Sequence, residues 1–209
     1  MPPTDDVHDA DISKAMNMAV CYPSTAANYF HLLRRQIRRP FRKPLICLES
    51  KKLMKFRPAM SNIEDFRKGL RFQKVLEDTA TDLVADDQIR RVIYCSGQVY
   101  YDLESERTKR GIKDIAIVRV EQIAPFPFRN VQPSLKRYKN AEVMWAQEEP
   151  KNQGAWPFVE PRLRNQLEAM KHRQIDPMYA GRAISGSTAT GYGKKHAAEL
   201  ASYLDTAMA

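Results

Sequence analysis

The chain has 209 residues, of which 43% are hydrophobic and 28% are charged, and its formal net charge is +9. This composition is that of a globular protein with one good-sized core, or with one domain and part of another. No apolar run approaches the roughly 20 residues that a transmembrane helix needs, which excludes membrane insertion. The acidic start, residues 4–11, has neither the apolar core of a secretory signal nor the basic character of a transit peptide.

The first part of the chain predicts a strand, a helix and a second strand. Residues 1–16 are polar and are predicted to be disordered. Strands are expected at 18–22 and 44–48. Between them, apolar residues at three- and four-residue steps predict a helix that begins near Ala26 and ends before Pro40. Two strands joined in this way by a helix are typical of a parallel pair.

Residues 58–89 are interpreted as a connector with short helical pieces, because their apolar residues are too irregularly spaced for one long helix. After the connector, strands are predicted at 91–95, 115–120, 141–146 and 178–180. Helices are predicted at 99–110, at 130–138, after Gly154 and from Lys194 to about Ala207. The alternation of strands and helices predicts an α/β fold with a mainly parallel open sheet and helices on both faces.

A polar segment directly follows the apolar run at 141–146. It contains two adjacent carboxylates and three carboxamides, Gln147, Glu148, Glu149, Asn152 and Gln153. Sites in open α/β sheets form outside the carboxyl ends of the strands, so this segment predicts a site or an interface. A solvated polar loop that Pro150 ends is the alternative.

Other candidate motifs indicate packing rather than chemistry. The turn at 96–97 lacks the spacing of a dinucleotide-binding loop and is interpreted as tight strand-to-helix packing. The glycine-rich loop at 185–193 lacks the order of a phosphate-binding loop and is interpreted as a surface loop or as a segment that reaches a neighbouring subunit. Four histidines are scattered without metal-ligand spacing, and we expect no metal site. The three cysteines show no pairing motif and are predicted to be buried thiols in a reducing compartment.

Much of the positive charge lies in one segment, from Arg34 to Arg57. This segment could meet the phosphate groups of nucleic acid, of a nucleotide effector or of coenzyme A, or an acidic surface elsewhere in the same protein. No aromatic residues alternate with these basic residues in the manner of a single-strand stacking surface, and the chain carries no zinc-finger or RNA-recognition signature. We therefore expect no nucleic-acid partner.

Several stretches together resemble a known family. They are PSTAANYFHLLRRQ at 23–36, RPFRKPLI at 39–46, CSGQVYYDL at 95–103, IAIVRVEQIAPFPF at 115–128, WAQEEPKNQGAW at 145–156, YAGR at 179–182, STATGYGKKHAAEL at 187–200 and LDTA at 204–207. With them the chain resembles the carboxyl-terminal part of the thiamin-diphosphate-dependent first component of the 2-oxoglutarate dehydrogenase complex, in the transketolase-like superfamily. The resemblance extends from about residue 17 to the end.

The resemblance implies a domain organisation and an activity. Residues 17–57 would be the end of a pyrimidine-binding domain, and residues 90–209 a transketolase-like carboxyl-terminal domain. The complete enzyme would use thiamin diphosphate and Mg to decarboxylate 2-oxoglutarate, and it would transfer the succinyl group to lipoyl groups. Its partners would be a second copy of the dehydrogenase chain, the dihydrolipoyl succinyltransferase and the dihydrolipoyl dehydrogenase. Its location would be the mitochondrial matrix in a eukaryote and the cytoplasm in a bacterium.

The same resemblance limits what this chain does alone. The family's diphosphate-binding Gly-Asp-Gly is not found in the sequence. We expect no catalytic or cofactor-binding residue in this chain, which would support the dimer and the active site through the polar segment at 147–153. AMP or acetyl-coenzyme A, which some family members bind, would meet basic residues, namely Arg34, Arg35, Arg42, Lys43 and Lys52. The alternatives are a stand-alone regulatory module that binds a nucleotide or acyl-coenzyme A, and a basic interaction protein.

Overall fold

The computed structural model describes residues 16–209 and has an α/β fold. Its strands are β1 Ala19–Cys21, β2 Leu45–Cys47, β3 Val75–Leu76, β4 Arg91–Cys95, β5 Ile115–Val120, β6 Gln122–Ala124, β7 Glu142–Pro150 and β8 Met178–Arg182. Its α-helices are α1 Ala26–Arg38, α2 Val99–Lys109, α3 Phe128–Arg137, α4 Trp156–Ala169 and α5 Gly193–Met208. The disorder predicted at the start falls almost entirely on residues 1–15, which lie outside the described residues.

A small sheet of three strands has the order β2-β1-β6. The predicted strand-helix-strand unit is confirmed, since β1 and β2 are parallel and α1 connects them. The hydroxyl of Thr25 accepts the backbone N–H of Asn28 at 3.3 Å and begins α1, as N-cap residues do. The sequence did not indicate β6, which comes from the second half of the chain and pairs antiparallel with β1.

A larger sheet of five strands has the order β3-β5-β4-β7-β8. Its four long strands are parallel, and β3 is an antiparallel edge strand. Because side chains alternate along a strand, Val92 and Tyr94 of β4 pack on one side of the sheet with α3 and α4. Ile93 and Cys95 pack on the other side with α2 and α5. The prediction of an open parallel sheet with helices on both faces is therefore confirmed.

Two features of this sheet differ from the sequence prediction or were not foreseen. Strand β7 continues to Pro150, so Gln147, Glu148 and Glu149 lie within a strand rather than after it. The connector contains short 3-10 turns, as expected, and also β3.

Among residues 16–209, no helix is long and apolar enough to cross a bilayer.

Candidate functional site

A cleft of about 690 Å³ lies where the two sheets meet. Three of the residues that line it directly follow strands, namely Tyr22 after β1 and Leu48 after β2 in the small sheet, and Ser96 after β4 in the large sheet. Its other wall includes Trp145, from β7, and Phe158, from α4. The remaining lining residues are Met16, Asn17, Met18, Val20, Ile123, Ala124, Gln147, Glu148, Glu149, Gly154 and Ala155. The cleft thus has the position and the mainly apolar lining that are typical of binding crevices in α/β proteins.

The side chain of Gln147 is buried, and its hydrogen bonds connect several residues at the wall of this cleft. Its side chain is only 3% exposed, and its Oε1 accepts the indole N–H of Trp145 at 3.1 Å and the backbone N–H of Trp156 at 2.8 Å. Its Nε2 donates to three backbone carbonyls, those of Glu149, Pro150 and Gln153, at 2.8–3.2 Å. All the hydrogen-bonding groups of the amide are therefore used inside the protein. Gln147 fixes the turn from β7 into α4 and supports the cleft indirectly.

Glu148 and Glu149 are the two acidic residues among those that line the cleft. Burial raises the pKa of the Glu148 carboxyl, and the Glu149 and Asp102 carboxylates raise it further, while His196 and Lys52 lower it. Burial also raises the pKa of the Tyr22 hydroxyl to about 12, and both glutamates add to this effect. The two adjacent carboxylates thus make this wall of an apolar cleft electronegative.

We expect the Glu148→Gln variant to gain stability relative to the wild type as the pH rises from about 4 to 7. A carboxyl with a raised folded-state pKa contributes most to stability below its unfolded pKa, and this contribution is lost as pH rises through the folded pKa. Glutamine does not titrate. Urea unfolding of both proteins across this pH range checks the prediction, with Glu168→Gln on the exposed face of α4 as the control. A stability difference that is constant with pH would contradict it.

Asn152 and Gln153 hold a surface loop and do not face the cleft wall. The side chain of Asn152 makes two hydrogen bonds to the backbone of Ser185, at 3.0 and 3.1 Å. Gln153 donates to the carbonyls of Ser185 and Ser187, at 3.1 and 3.4 Å. Of the five residues that the sequence analysis grouped as interface or support, Gln147, Glu148 and Glu149 are therefore among those that line the cleft.

The turn after β4 packs closely against Tyr22, which follows β1 in the small sheet. Gly97 has a φ of +66°, and a Cβ atom there would lie 2.2 Å from the Tyr22 ring. Only glycine satisfies both the backbone conformation and the close approach. This agrees with the expectation that the 96–97 turn serves packing.

A buried polar network next to the cleft was not anticipated from the sequence. Glu121, which follows β5 and is 0% exposed, accepts hydrogen bonds from the backbone and hydroxyl of Ser24 at 2.8 and 2.6 Å, and from Asn28 at 2.9 Å. Arg119 donates to the same Ser24 hydroxyl at 3.2 Å and lies 4.1 Å from the centre of the Tyr100 ring. Burial raises the pKa of Glu121, while Arg119 lowers it. Ser24 and Asn28 lie in the stretch at 23–36, and Arg119 and Glu121 lie in the stretch at 115–128. Both stretches carry the family resemblance, and this was the one sign in the sequence that these residues could matter.

The five basic residues proposed for an anionic effector each contact a different part of the protein. Arg34 and Arg35 lie on α1, Arg42 and Lys43 lie between α1 and β2, and Lys52 follows β2. Their partners are, in the same order, the Leu70 carbonyl, the Gln122 side chain, the Arg39 carbonyl, the Met16 carbonyl and the Asp102 carboxylate. Arg42 is exposed, and its partner is a neighbouring carbonyl at 3.0 Å.

The residues of the cleft do not fit thiamin diphosphate. The charged residues that line it are Glu148 and Glu149, and a carboxylate repels a diphosphate. Within residues 16–209 there is also no group of three or more His, Cys, Asp or Glu side chains that could hold the accompanying metal ion.

The family models and the similar known proteins indicate the same family. Residues 60–208 match the family model described as 2-oxoglutarate dehydrogenase C-terminal, and residues 8–57 match the transketolase pyrimidine binding domain. The chain is 45% identical over 201 residues to 2-oxoglutarate dehydrogenase E1 components from Brucella anthropi, Brucella ovis and Brucella canis. The matched stretch is 92% of this chain and 20% of each relative. The chain thus spans a fifth of the length of these relatives.

The resemblance seen in the sequence motifs is therefore confirmed. The first family model covers well over half of the chain, and it covers the five-stranded sheet together with α2 to α5. The fold is that of a transketolase-like carboxyl-terminal domain, and a short segment of the pyrimidine-binding type precedes it. This chain belongs to the 2-oxoglutarate dehydrogenase C-terminal family.

Proposed function

We propose that this chain acts as the carboxyl-terminal portion of a 2-oxoglutarate dehydrogenase E1 component and supports its active site without catalysing the reaction itself. The complete enzyme decarboxylates 2-oxoglutarate oxidatively and transfers the succinyl group to lipoyl groups. The observation that carries the proposal is the 45% identity, which covers 92% of this chain but only 20% of the relatives. The structure adds a rigid cleft wall that Gln147 holds in place.

The chemistry in this proposal comes from thiamin diphosphate with Mg, which the complete enzyme binds and which provides the carbanion stabilisation needed for decarboxylation. The residues of this chain contribute shape and charge. The hydrogen bonds of Gln147 fix the turn into α4, and Glu148 and Glu149 present carboxylates to whatever fills the cleft. Catalytic residues are expected in the part of the enzyme that the chain does not contain.

We also propose an assembly and a location for this enzyme. The enzyme forms a homodimer and works in a multienzyme complex with a dihydrolipoyl succinyltransferase and a dihydrolipoyl dehydrogenase. Its location is the mitochondrial matrix in a eukaryote or the cytoplasm in a bacterium.

A chimera tests the proposed function. In the Brucella anthropi relative, the region that matches this chain would be replaced by this chain, and decarboxylation of 2-oxoglutarate would be followed with an artificial electron acceptor. We expect the chimera to be active and the relative without this region to be inactive. A soluble chimera with no activity, beside an active wild-type relative, would refute the proposal.

We also expect this chain alone to show no micromolar binding of thiamin diphosphate with Mg, because the charged residues that line its cleft are acidic. Isothermal titration calorimetry measures this directly, with the active chimera as the positive control. Micromolar binding by the chain alone would contradict the expectation.

An effector role is a subsidiary proposal, and the exposed Arg42 supports it. AMP or acetyl-coenzyme A would be held by phosphate contacts to Arg42 and its basic neighbours, so binding should weaken as salt rises. Titration at low and moderate salt tests this, with Arg42→Ala as the variant and Arg173→Ala as a control on the surface of the other sheet. A flat response at both salt concentrations removes the effector role.

A further inference from the structure

Two cysteines lie side by side in the small sheet. In the register of the parallel strands β1 and β2, Cys21 is the direct partner of Cys47. The Leu48 N–H donates to the Cys21 carbonyl at 2.8 Å, so the two strands remain hydrogen-bonded just beyond the pair. Directly paired residues of neighbouring strands point to the same face of a sheet. The two thiols are therefore neighbours on that face.

The packing and the backbone geometry agree with this placement. Cys21 belongs to the cluster that contains Leu32 and Phe72, and Cys47 packs against the same cluster. Neighbouring strands lie about 4.8 Å apart, and a disulfide joins Cα atoms that are about 4.4–6.8 Å apart. The backbone of the folded protein therefore already provides the spacing that a disulfide needs.

Cys21 is the protected member of the pair. Its side chain is 0% exposed, and burial raises its pKa to about 11. Arg35 and Arg39 lower this pKa, and Arg35 donates to the Cys21 Sγ at 3.6 Å, while the charge of a Cys47 thiolate would raise it. Cys21 is therefore a protonated thiol at neutral pH, and Cys47 is its neighbour in register.

Cys47 is the accessible member of the pair. Its side chain is partly exposed, whereas Cys21 is buried. Burial raises the pKa of Cys47, and the Glu49 carboxylate raises it further. Tyr29 of α1 is a further titratable neighbour. Because the thiolate is the reactive form, Cys47 should react slowly at neutral pH and faster at alkaline pH.

We propose that Cys21 and Cys47 form a redox-modification site, in which a peroxide converts the two thiols into a disulfide between β1 and β2. The Cys47 thiolate attacks one oxygen of hydrogen peroxide, the O–O bond breaks, and Cys47 becomes a sulfenic acid while the other oxygen leaves as water. The Cys21 sulfur then attacks the Cys47 Sγ, the S–O bond breaks, and a second water leaves. The thiols give up two electrons and two protons, and one peroxide is reduced to two water molecules. A dithiol reverses the reaction by exchange.

The position of the site suggests what the disulfide would change. Tyr22 and Leu48, the residues that directly follow the two cysteines, both line the cleft. A bond between Cys21 and Cys47 would join the ends of β1 and β2 covalently and restrict the wall of the cleft that begins there. This inference does not depend on the proposed function, because it concerns only the described residues of this chain.

Peroxide treatment of the 209-residue chain tests the inference. The reduced protein would be oxidised, its remaining thiols would be alkylated, and its tryptic peptides would be analysed by mass spectrometry without reduction. We expect the peptides that carry Cys21 and Cys47 to be linked to each other, and dithiothreitol to separate them. The initial rate should rise about tenfold from pH 7 to pH 8, because the thiolate fraction rises tenfold per pH unit below the pKa.

Cys95 provides a matched control. It is fully buried on β4 of the other sheet, and its register partners there are Arg119 and Ala146. Cys95→Ala should form the link at the wild-type rate. Cys47→Ser, at a partly exposed position that tolerates a hydroxyl, should lose the link completely. Oxidation should raise the melting temperature of the wild type by about 5 °C or more and leave that of Cys47→Ser unchanged, because the disulfide restricts the unfolded chain.

Three results would overturn the proposal. The first is oxidation of Cys47 to a sulfinic acid without a link to Cys21. The second is a link between Cys47 residues of two molecules in place of the internal one. The third is a yield of links to Cys95 in the folded chain equal to that of the Cys21–Cys47 link, which would place the reaction in unfolded molecules. None of these measurements uses the activity of the chimera, so the proposed function and this site can fail separately.

Discussion

The Gln147→Leu variant is expected to lose about 3–5 kcal/mol of folding free energy, because several buried groups would lose their partner at once. The indole N–H of Trp145 and the backbone N–H of Trp156 both donate to Gln147 Oε1, at 3.1 and 2.8 Å. Three backbone carbonyls also lose the Nε2 donor. Each buried polar group that is left unsatisfied costs about 1–3 kcal/mol, although the turn will relax enough to hydrate some of them.

Urea unfolding followed by tryptophan fluorescence measures this loss well, because the chain has two tryptophans and both bond to Gln147. The matched control is Gln153→Ala. It removes hydrogen bonds to the exposed Ser185–Ser187 loop and should cost about 1 kcal/mol or less. If Gln147→Leu were no more destabilising than this control, the structural role assigned to Gln147 would be wrong.

The Glu121→Ala variant is expected to lose a similar amount, about 3–5 kcal/mol at pH 7, because it removes the buried carboxylate whose charge interacts with that of the buried Arg119 guanidinium. It also removes the acceptor of three hydrogen bonds from Ser24 and Asn28. The loss should loosen the contact between β1, α1 and the second half of the chain. It should therefore expose tyrosine and cysteine side chains of the small sheet before global unfolding.

Two variants sharpen this test. Glu121→Gln keeps an acceptor oxygen and the side-chain volume, so it should be less destabilising than Glu121→Ala. Glu168→Ala removes an exposed carboxylate from α4 and should change stability by less than about 0.5 kcal/mol. Chemical denaturation of all three variants measures the series, and equal stability of Glu121→Ala and Glu168→Ala would show that the network does not hold the two halves together.

The main helices and strands of this fold could be predicted from the sequence because their signals are local. Buried parallel strands such as β4 and β5 are short apolar runs, and helix α1 has its apolar residues at helical spacing between Thr25 and Pro40. Strand β6 could not be predicted in this way. It has three residues, only Glu121 separates it from β5, and its antiparallel pairing with β1 spans about a hundred residues of sequence.

The position of the polar segment in the fold could be predicted, but the directions of its side chains could not. The polar segment after residue 146 does lie at the carboxyl edge of the sheet, where the sequence placed it. The direction of each side chain, however, depends on the extension of β7 to Pro150 and on the irregular pairing between Ala146 and Pro150 with β8. For this reason the sequence analysis grouped Gln147 and Glu148 together, although the structure shows that the Gln147 side chain is fully hydrogen-bonded within the protein.

The sequence by itself determined the fold class, the order of the main elements and the family, because these depend on local periodicity and on contiguous motifs. The tertiary structure decided which polar residues are hydrogen-bonded internally, as Gln147 is, and which residues line the cleft. The physical reason is that burial and hydrogen-bond satisfaction depend on partners distant in sequence. Glu121 is the clearest case, since its burial is favourable only when Ser24 and Asn28 meet it from the other half of the chain.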